Sequence, residues 1–225
     1  MGLNSKLSLP FERELMTKGF TEKFNLLLTS LFFFTLFGCG KIETKQGEES
    51  LPLAQLPKNV PSLKDYGGIG GNFTLTDQYG ETFSLSELEG HPVLLFFGYT
   101  YCPDICPITL SKAARVYELL GIPPESIRTI FISVDPERDT VEKIREYLAY
   151  FQIDTIGLNG TREEIDAVVQ QYGGHYDLNR KNAVDNYFVD HSTYTYLIDQ
   201  EGRVRFLFRP EDEPTYIAAV AKQLL

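Results

Sequence analysis

Cys102 and Cys106 carry the plainest chemistry in this chain. They lie in Phe96-Phe97-Gly98-Tyr99-Thr100-Tyr101-Cys102-Pro103-Asp104-Ile105-Cys106-Pro107, after the apolar run Val93-Leu94-Leu95 and before Ile108-Thr109-Leu110. Two sulfurs four positions apart on one helical face suit either a disulfide or two thiolates on one metal ion. A gap of two residues would point more firmly to thioredoxin-type redox chemistry. Free cysteine is often simply buried, but a pair flanked by prolines at a strand-to-helix junction, in a chain with three cysteines, reads as reactive or metal-binding. Thiolates are soft ligands that select copper(I), zinc or iron–sulfur. A structural zinc would want four ligands, so the third group matters, and the chain has three histidines to offer.

The elements that position these residues follow from local pattern. Val93 to Phe97 is a strand buried on both faces, stopped by Gly98. A helix then runs to about Leu120, ended by Gly121 and barred by Pro123-Pro124. With Cys106 and Pro107 in its first turn, both sulfurs stand near a helix N-terminus, which favours thiolate in each. Ile127–Val134 reads as the next buried strand, Asp135-Pro136-Glu137-Arg138-Asp139-Thr140 as its turn, Val141–Phe151 as a helix and Ile153–Leu158 as a short strand. Thr161-Arg162-Glu163-Glu164 is a capping box opening another helix. Residues 173–192 form a long polar loop; loops of that length in a compact domain are often functional.

Two hairpins frame this core. Phe73–Thr76 and Glu81–Ser84 flank Asp77-Gln78-Tyr79-Gly80, and Thr193–Ile198 and Arg203–Phe208 flank Asp199-Gln200-Glu201-Gly202, before a closing helix over Glu213–Leu225. Gly67-Gly68-Ile69-Gly70-Gly71 precedes no helix start, so it reads as flexible backbone and not as a nucleotide cradle. The order predicts an α/β, thioredoxin-like fold: a central mixed β-sheet flanked by helices, with an N-terminal hairpin. His191 ends the long loop at a strand start that faces the cysteine motif in such a plan, whereas His91, before Pro92, is a solvated turn residue and His175 sits within the loop. Cys102, Cys106 and His191 then make a three-ligand set suited to copper. Thiol–disulfide enzymes of this plan keep a cis-proline opposite the cysteines, yet no proline occurs between Gly160 and Arg209.

The N-terminus reads as an address. Lys18 and Lys23 precede the apolar run Leu26–Phe37, then Gly38 and Cys39. The run is shorter than the roughly 20 residues that span a bilayer. Leu36-Phe37-Gly38-Cys39 resembles a bacterial lipobox, which makes 1–38 a lipoprotein signal peptide, Cys39 the lipidated first residue of the mature chain and the domain extracytoplasmic. An uncleaved membrane helix is the competing reading, and Met16 is a second possible start. Residues 39–66 read as the lipidated cysteine and a flexible tether, and 67–225 as the folded domain. A net charge of −10 without a basic cluster speaks against a nucleic-acid partner.

Together, Gly70-Gly71-Asn72-Phe73-Thr74-Leu75-Thr76-Asp77, the cysteine motif, Ser133-Val134-Asp135-Pro136-Glu137-Arg138-Asp139-Thr140 and Asp190-His191-Ser192 resemble the SCO/SenC family of copper-binding assembly factors for cytochrome c oxidase. The resemblance covers roughly residues 67–225 and departs at Asn72, where many members have proline. It implies that Cys102, Cys106 and His191 bind one copper ion. It also implies a chaperone that delivers copper to the dinuclear site of an oxidase subunit, or that keeps the cysteines of that site reduced. A membrane-tethered thiol–disulfide reductase using Cys102 and Cys106 is the alternative function, and a thiol peroxidase or redox sensor a weaker one. Asp135 is assigned no catalytic role; capping the turn before Pro136 accounts for it equally well.

Overall fold

The computed structural model describes residues 55–151, 153–179 and 187–225. The expected signal peptide, Cys39 and most of the expected tether lie outside the described residues.

The chain order is β1 (Thr74–Asp77), β2 (Thr82–Ser84), β3 (Val93–Gly98), α1 (Ile105–Leu120), β4 (Arg128–Ser133), α2 (Val141–Leu148), β5 (Thr155–Asn159), α3 (Arg162–Gln171), β6 (Tyr176–Leu178), β7 (Val189–His191), β8 (Thr195–Ile198), β9 (Val204–Phe208) and α4 (Pro214–Ala221). Seven strands form one mixed sheet in the order β2-β1-β5-β4-β3-β8-β9, with β3, β4 and β5 parallel and the rest antiparallel. The β1–β2 and β8–β9 hairpins fall where the turn residues place them.

Every residue of β3 is buried, and its side chains divide between the two faces. Leu95 and Phe97 join Ile130, Ile132, Tyr172 and Tyr196 under α3, while Leu94 and Phe96 pack toward α1, α2 and α4. Each such side chain contributes about 1.5–3 kcal/mol by leaving water, so the central strands anchor whatever their ends carry. α1 ends as expected at Gly121, which adopts φ +60, a left-handed cap that a side chain would resist. Thr161 and Glu164 form the capping box of α3: Thr161 Oγ1 accepts from the Glu164 N–H, and Glu164 Oε2 from the Thr161 N–H.

Three expectations need correction. The long polar loop contains a second, two-stranded sheet, in which β6 and β7 pair antiparallel with Tyr176 opposite His191. Its strands are three residues each, too short to show a period in the sequence. The tether, expected to be free through residue 66, is docked from Leu56 onward. Leu56, Val60 and Leu63 pack on the cluster around α4, and the Lys64 and Tyr66 N–H groups donate to the Arg205 and Val204 carbonyls, covering the edge strand β9. Prolines deny this segment a regular pattern, which is why its packing was not legible. Within the glycine run, Gly70 pairs with Arg203 and donates to the Gln171 carbonyl, so that backbone is held and not free.

Candidate metal centre

The cysteine motif leaves the C-terminal end of β3 as a turn, with the Cys102 N–H donating to the Tyr99 carbonyl at 3.1 Å. Asp104 is the N-cap of α1, so Cys106 lies in its first turn but Cys102 lies before the helix. The pair therefore does not share a helical face, as the four-residue spacing had suggested. The sulfurs meet because the turn folds Cys102 over the helix start, where its Sγ accepts the Cys106 N–H at 3.5 Å.

That placement makes the two thiols unequal, against the expectation of two favoured thiolates. A hydrogen bond from the Cys106 thiol is the main reason the Cys102 thiol is pushed down to about 4; His191 and the Asp104 and Cys106 N–H groups add to it, against desolvation. Cys106 is pushed up, first because it donates to Cys102 and then by burial and the neighbouring negative charge. One proton leaves the pair readily and the second is retained.

His191 arrives at the end of β7, 85 positions from Cys106, and its Nε2 stands 3.7 Å from Cys106 Sγ. Its Nδ1 is 2.9 Å from the Ser192 carbonyl, which can only accept; Nδ1 therefore carries a proton, and Nε2 is the ring nitrogen turned toward the sulfurs. The Tyr99 ring meets the imidazole edge-on at 5.8 Å. The three donor atoms all lie within 4.8 Å of one another, and among the described residues this is the one such cluster of three or more potential ligands. Metal–ligand bonds of about 2.0–2.3 Å would draw the three atoms together by a few tenths of an ångström around one ion. The donor set, two sulfurs and an imidazole, suits a soft ion such as copper(I). His91 lies at the other end of β3, where its N–H donates to Leu88, and His175 bonds Ser192 Oγ at 3.1 Å.

Sequence reasoning missed the residues that hold this geometry. Asp139, fully buried, accepts from the Thr100 N–H at 2.9 Å and the Thr100 hydroxyl at 2.5 Å, and from Ser133 Oγ at 2.6 Å, fastening the cysteine turn to the end of β4. Burial pushes its carboxyl up while those hydrogen bonds oppose the shift. Asp135 does not merely cap a turn: it is buried, pairs with Arg138 at 2.5 Å and accepts the Tyr187 hydroxyl at 2.6 Å. Two acids four apart in a turn after a buried strand were the available signal. Asn72, the departure noted above, accepts from the Ser86 N–H and the Ser84 hydroxyl, away from the cysteines.

The sequence model of the SCO1/SenC family matches residues 62–225. The chain belongs to the SCO1/SenC family. An SCO2-like protein of Rickettsia felis is 38% identical over 172 residues, covering 76% of this chain and 84% of the relative. Among solved structures, Bradyrhizobium japonicum ScoI with copper bound is 39% identical, with a TM-score of 0.64 over 70% of this chain and 99% of that one. Yeast Sco1 with copper bound is 30% identical, with a TM-score of 0.64 over 69% and 87%. These likenesses establish the fold as thioredoxin-like, as expected. No helix among the described residues is long and apolar enough to cross a membrane.

Proposed function

We propose that this SCO1/SenC chain is a copper metallochaperone: Cys102, Cys106 and His191 grip one copper ion and pass it by ligand exchange to the dinuclear copper site of a cytochrome c oxidase subunit. The observation that carries the reading is the convergence of two sulfurs and a correctly turned imidazole within 4.8 Å. The copper-bound relatives support the choice of ion. Binding displaces the proton that the Cys106 thiol retains, so uptake releases acid. Release to a partner needs ligands within its reach, and Cys102 and His191 are less deeply buried than Cys106. Lipidation at Cys39 and a tether ending near Leu56 would hold the domain close to an extracytoplasmic membrane face, in keeping with a membrane-embedded recipient.

The test is copper(I) affinity, by competition with a chromophoric chelator, for the full chain in detergent and its His191→Ala form. The expected result is a clear loss of affinity and of a nitrogen ligand in X-ray absorption. An unchanged affinity and spectrum would mean that His191 is no ligand.

The inequality of the thiols favours a second reading, a dithiol reductase. The Cys102 thiolate would attack a partner disulfide, forming a mixed disulfide and expelling one partner thiolate. Cys106, giving up its proton, would then attack Cys102 Sγ, release the second partner thiol and leave Cys102 and Cys106 oxidised. Here a Cys106→Ser variant should trap the mixed disulfide and His191→Ala should matter little, the opposite of the copper result.

A further inference from the structure

The ribbon that carries His191 shares no strand pairing with the seven-stranded sheet. Side chains help to set where it stands: Tyr99 of the cysteine turn reaches Val189 and the His191 ring, and several others meet at one segment, the turn after β4. Tyr187 stands two residues before β7, with its ring buried and its hydroxyl donating to Asp135 at 2.6 Å. The Arg138 guanidinium lies 3.6 Å over the Tyr187 ring centroid, with Tyr101 at 4.9 Å and Tyr99 at 5.8 Å. Buried Nη2 of Arg138 has no hydrogen-bond partner, so the aromatic faces are what offset its desolvation. The other strand is tied to the same turn, since Arg162 donates to the Val134 carbonyl at 2.9 Å and to the Tyr176 hydroxyl at 2.7 Å. The same turn also supplies Asp139, which fastens the cysteine turn through Thr100. One short segment thus holds both halves of a ligand set that is far apart in sequence.

We propose that Tyr187 is a positioning residue for the metal centre: its hydroxyl on Asp135 and its ring beneath Arg138 pin the segment that leads into β7 and so help to set the distance from His191 to the two sulfurs. The inference rests on the reading of His191 as a ligand. A chain whose ribbon stands off the cysteines for part of the time binds more weakly in proportion to the closed fraction. Loss of one buried hydrogen bond to a charged acceptor caps the effect at roughly a hundredfold, and partial compensation brings the expectation to about tenfold.

The experiment compares the full chain, Tyr187→Phe and His191→Ala, by copper(I) competition, X-ray absorption and amide hydrogen exchange. For Tyr187→Phe the expected results are copper(I) binding weaker by about tenfold, a diminished nitrogen contribution, and faster exchange in β6 and β7 with β3 and β4 unchanged. A lowered melting temperature with affinity and nitrogen ligation intact would make Tyr187 a packing residue and overturn the inference, leaving His191 in place as a ligand. If His191→Ala itself binds copper as the native chain does, the ligand reading fails and the inference goes with it. Should the phenylalanine variant not fold, Arg138→Lys keeps the Tyr187 hydroxyl bond but loses the flat stacking surface. It is expected to weaken binding several-fold with the same exchange pattern, and unchanged binding would overturn the inference.

Discussion

Replacing Gly98 by alanine adds one methyl group at the point where β3 meets the cysteine helix. A Cβ there would stand 2.7 Å from Cys106 Sγ and 2.7 Å from Phe131 Cε2, whereas ordinary contact begins near 3.4 Å. Neither neighbour is the loose end of a flexible chain: Cys106 and Phe131 are 1% and 0% exposed. Relief requires moving one or both by several tenths of an ångström through close-packed surroundings, and overpacking of this kind costs about 1–3 kcal/mol. The lower entropy of an unfolded alanine acts the other way by about 0.4–1 kcal/mol, so the net expectation is a loss of about 1–2 kcal/mol. In a chain of this size each kcal/mol moves the melting temperature by about 2–4 °C. The metal-free chain carrying Gly98→Ala should therefore melt several degrees below the native one by circular dichroism, and bind copper(I) more weakly because Cys106 Sγ has moved. A melting temperature equal to or above the native value would refute the clash, and unchanged copper affinity would show that the displacement spares the site.

Two further expectations concern the thiols. In the reduced, metal-free chain, limiting iodoacetamide at about pH 6 should label Cys102 and spare Cys106, since only the former is thiolate there. Peptide mapping that finds Cys106 modified first would reverse the assignment. The second is a pH dependence of stability. Between the lowered Cys102 value of about 4 and the ordinary thiol value of 9.0, the unfolded chain binds one proton more than the folded chain, so stability rises with pH. Above 9.0 the folded chain keeps the Cys106 proton that the unfolded chain has lost, and stability falls. The stability difference between the native chain and a Cys102→Ser, Cys106→Ser double variant, measured by urea unfolding, should accordingly peak near the ordinary thiol value, and a difference flat with pH would contradict the unequal pair.

What the chain declares on its own is local. Alternating strand and helix patterns, Gly121 as a helix stop, the Thr161–Glu164 box and both hairpins were legible because each depends on neighbours a few residues apart. The two cysteines were legible for the same reason, as chemistry if not as geometry: the four-residue spacing named the pair but misjudged its frame, since Asp104 starts the helix between them. Tertiary packing decided the rest. It brought His191 across 85 positions to Cys106, split the two thiols into a thiolate and a retained thiol, and recruited Asp135, Arg138, Asp139 and Tyr187 from an ordinary-looking turn and loop to hold them. Those properties arise from desolvation and from contacts between distant segments, and both come into being only when the sheet has closed its core and two separate loops have been carried to the same end of it.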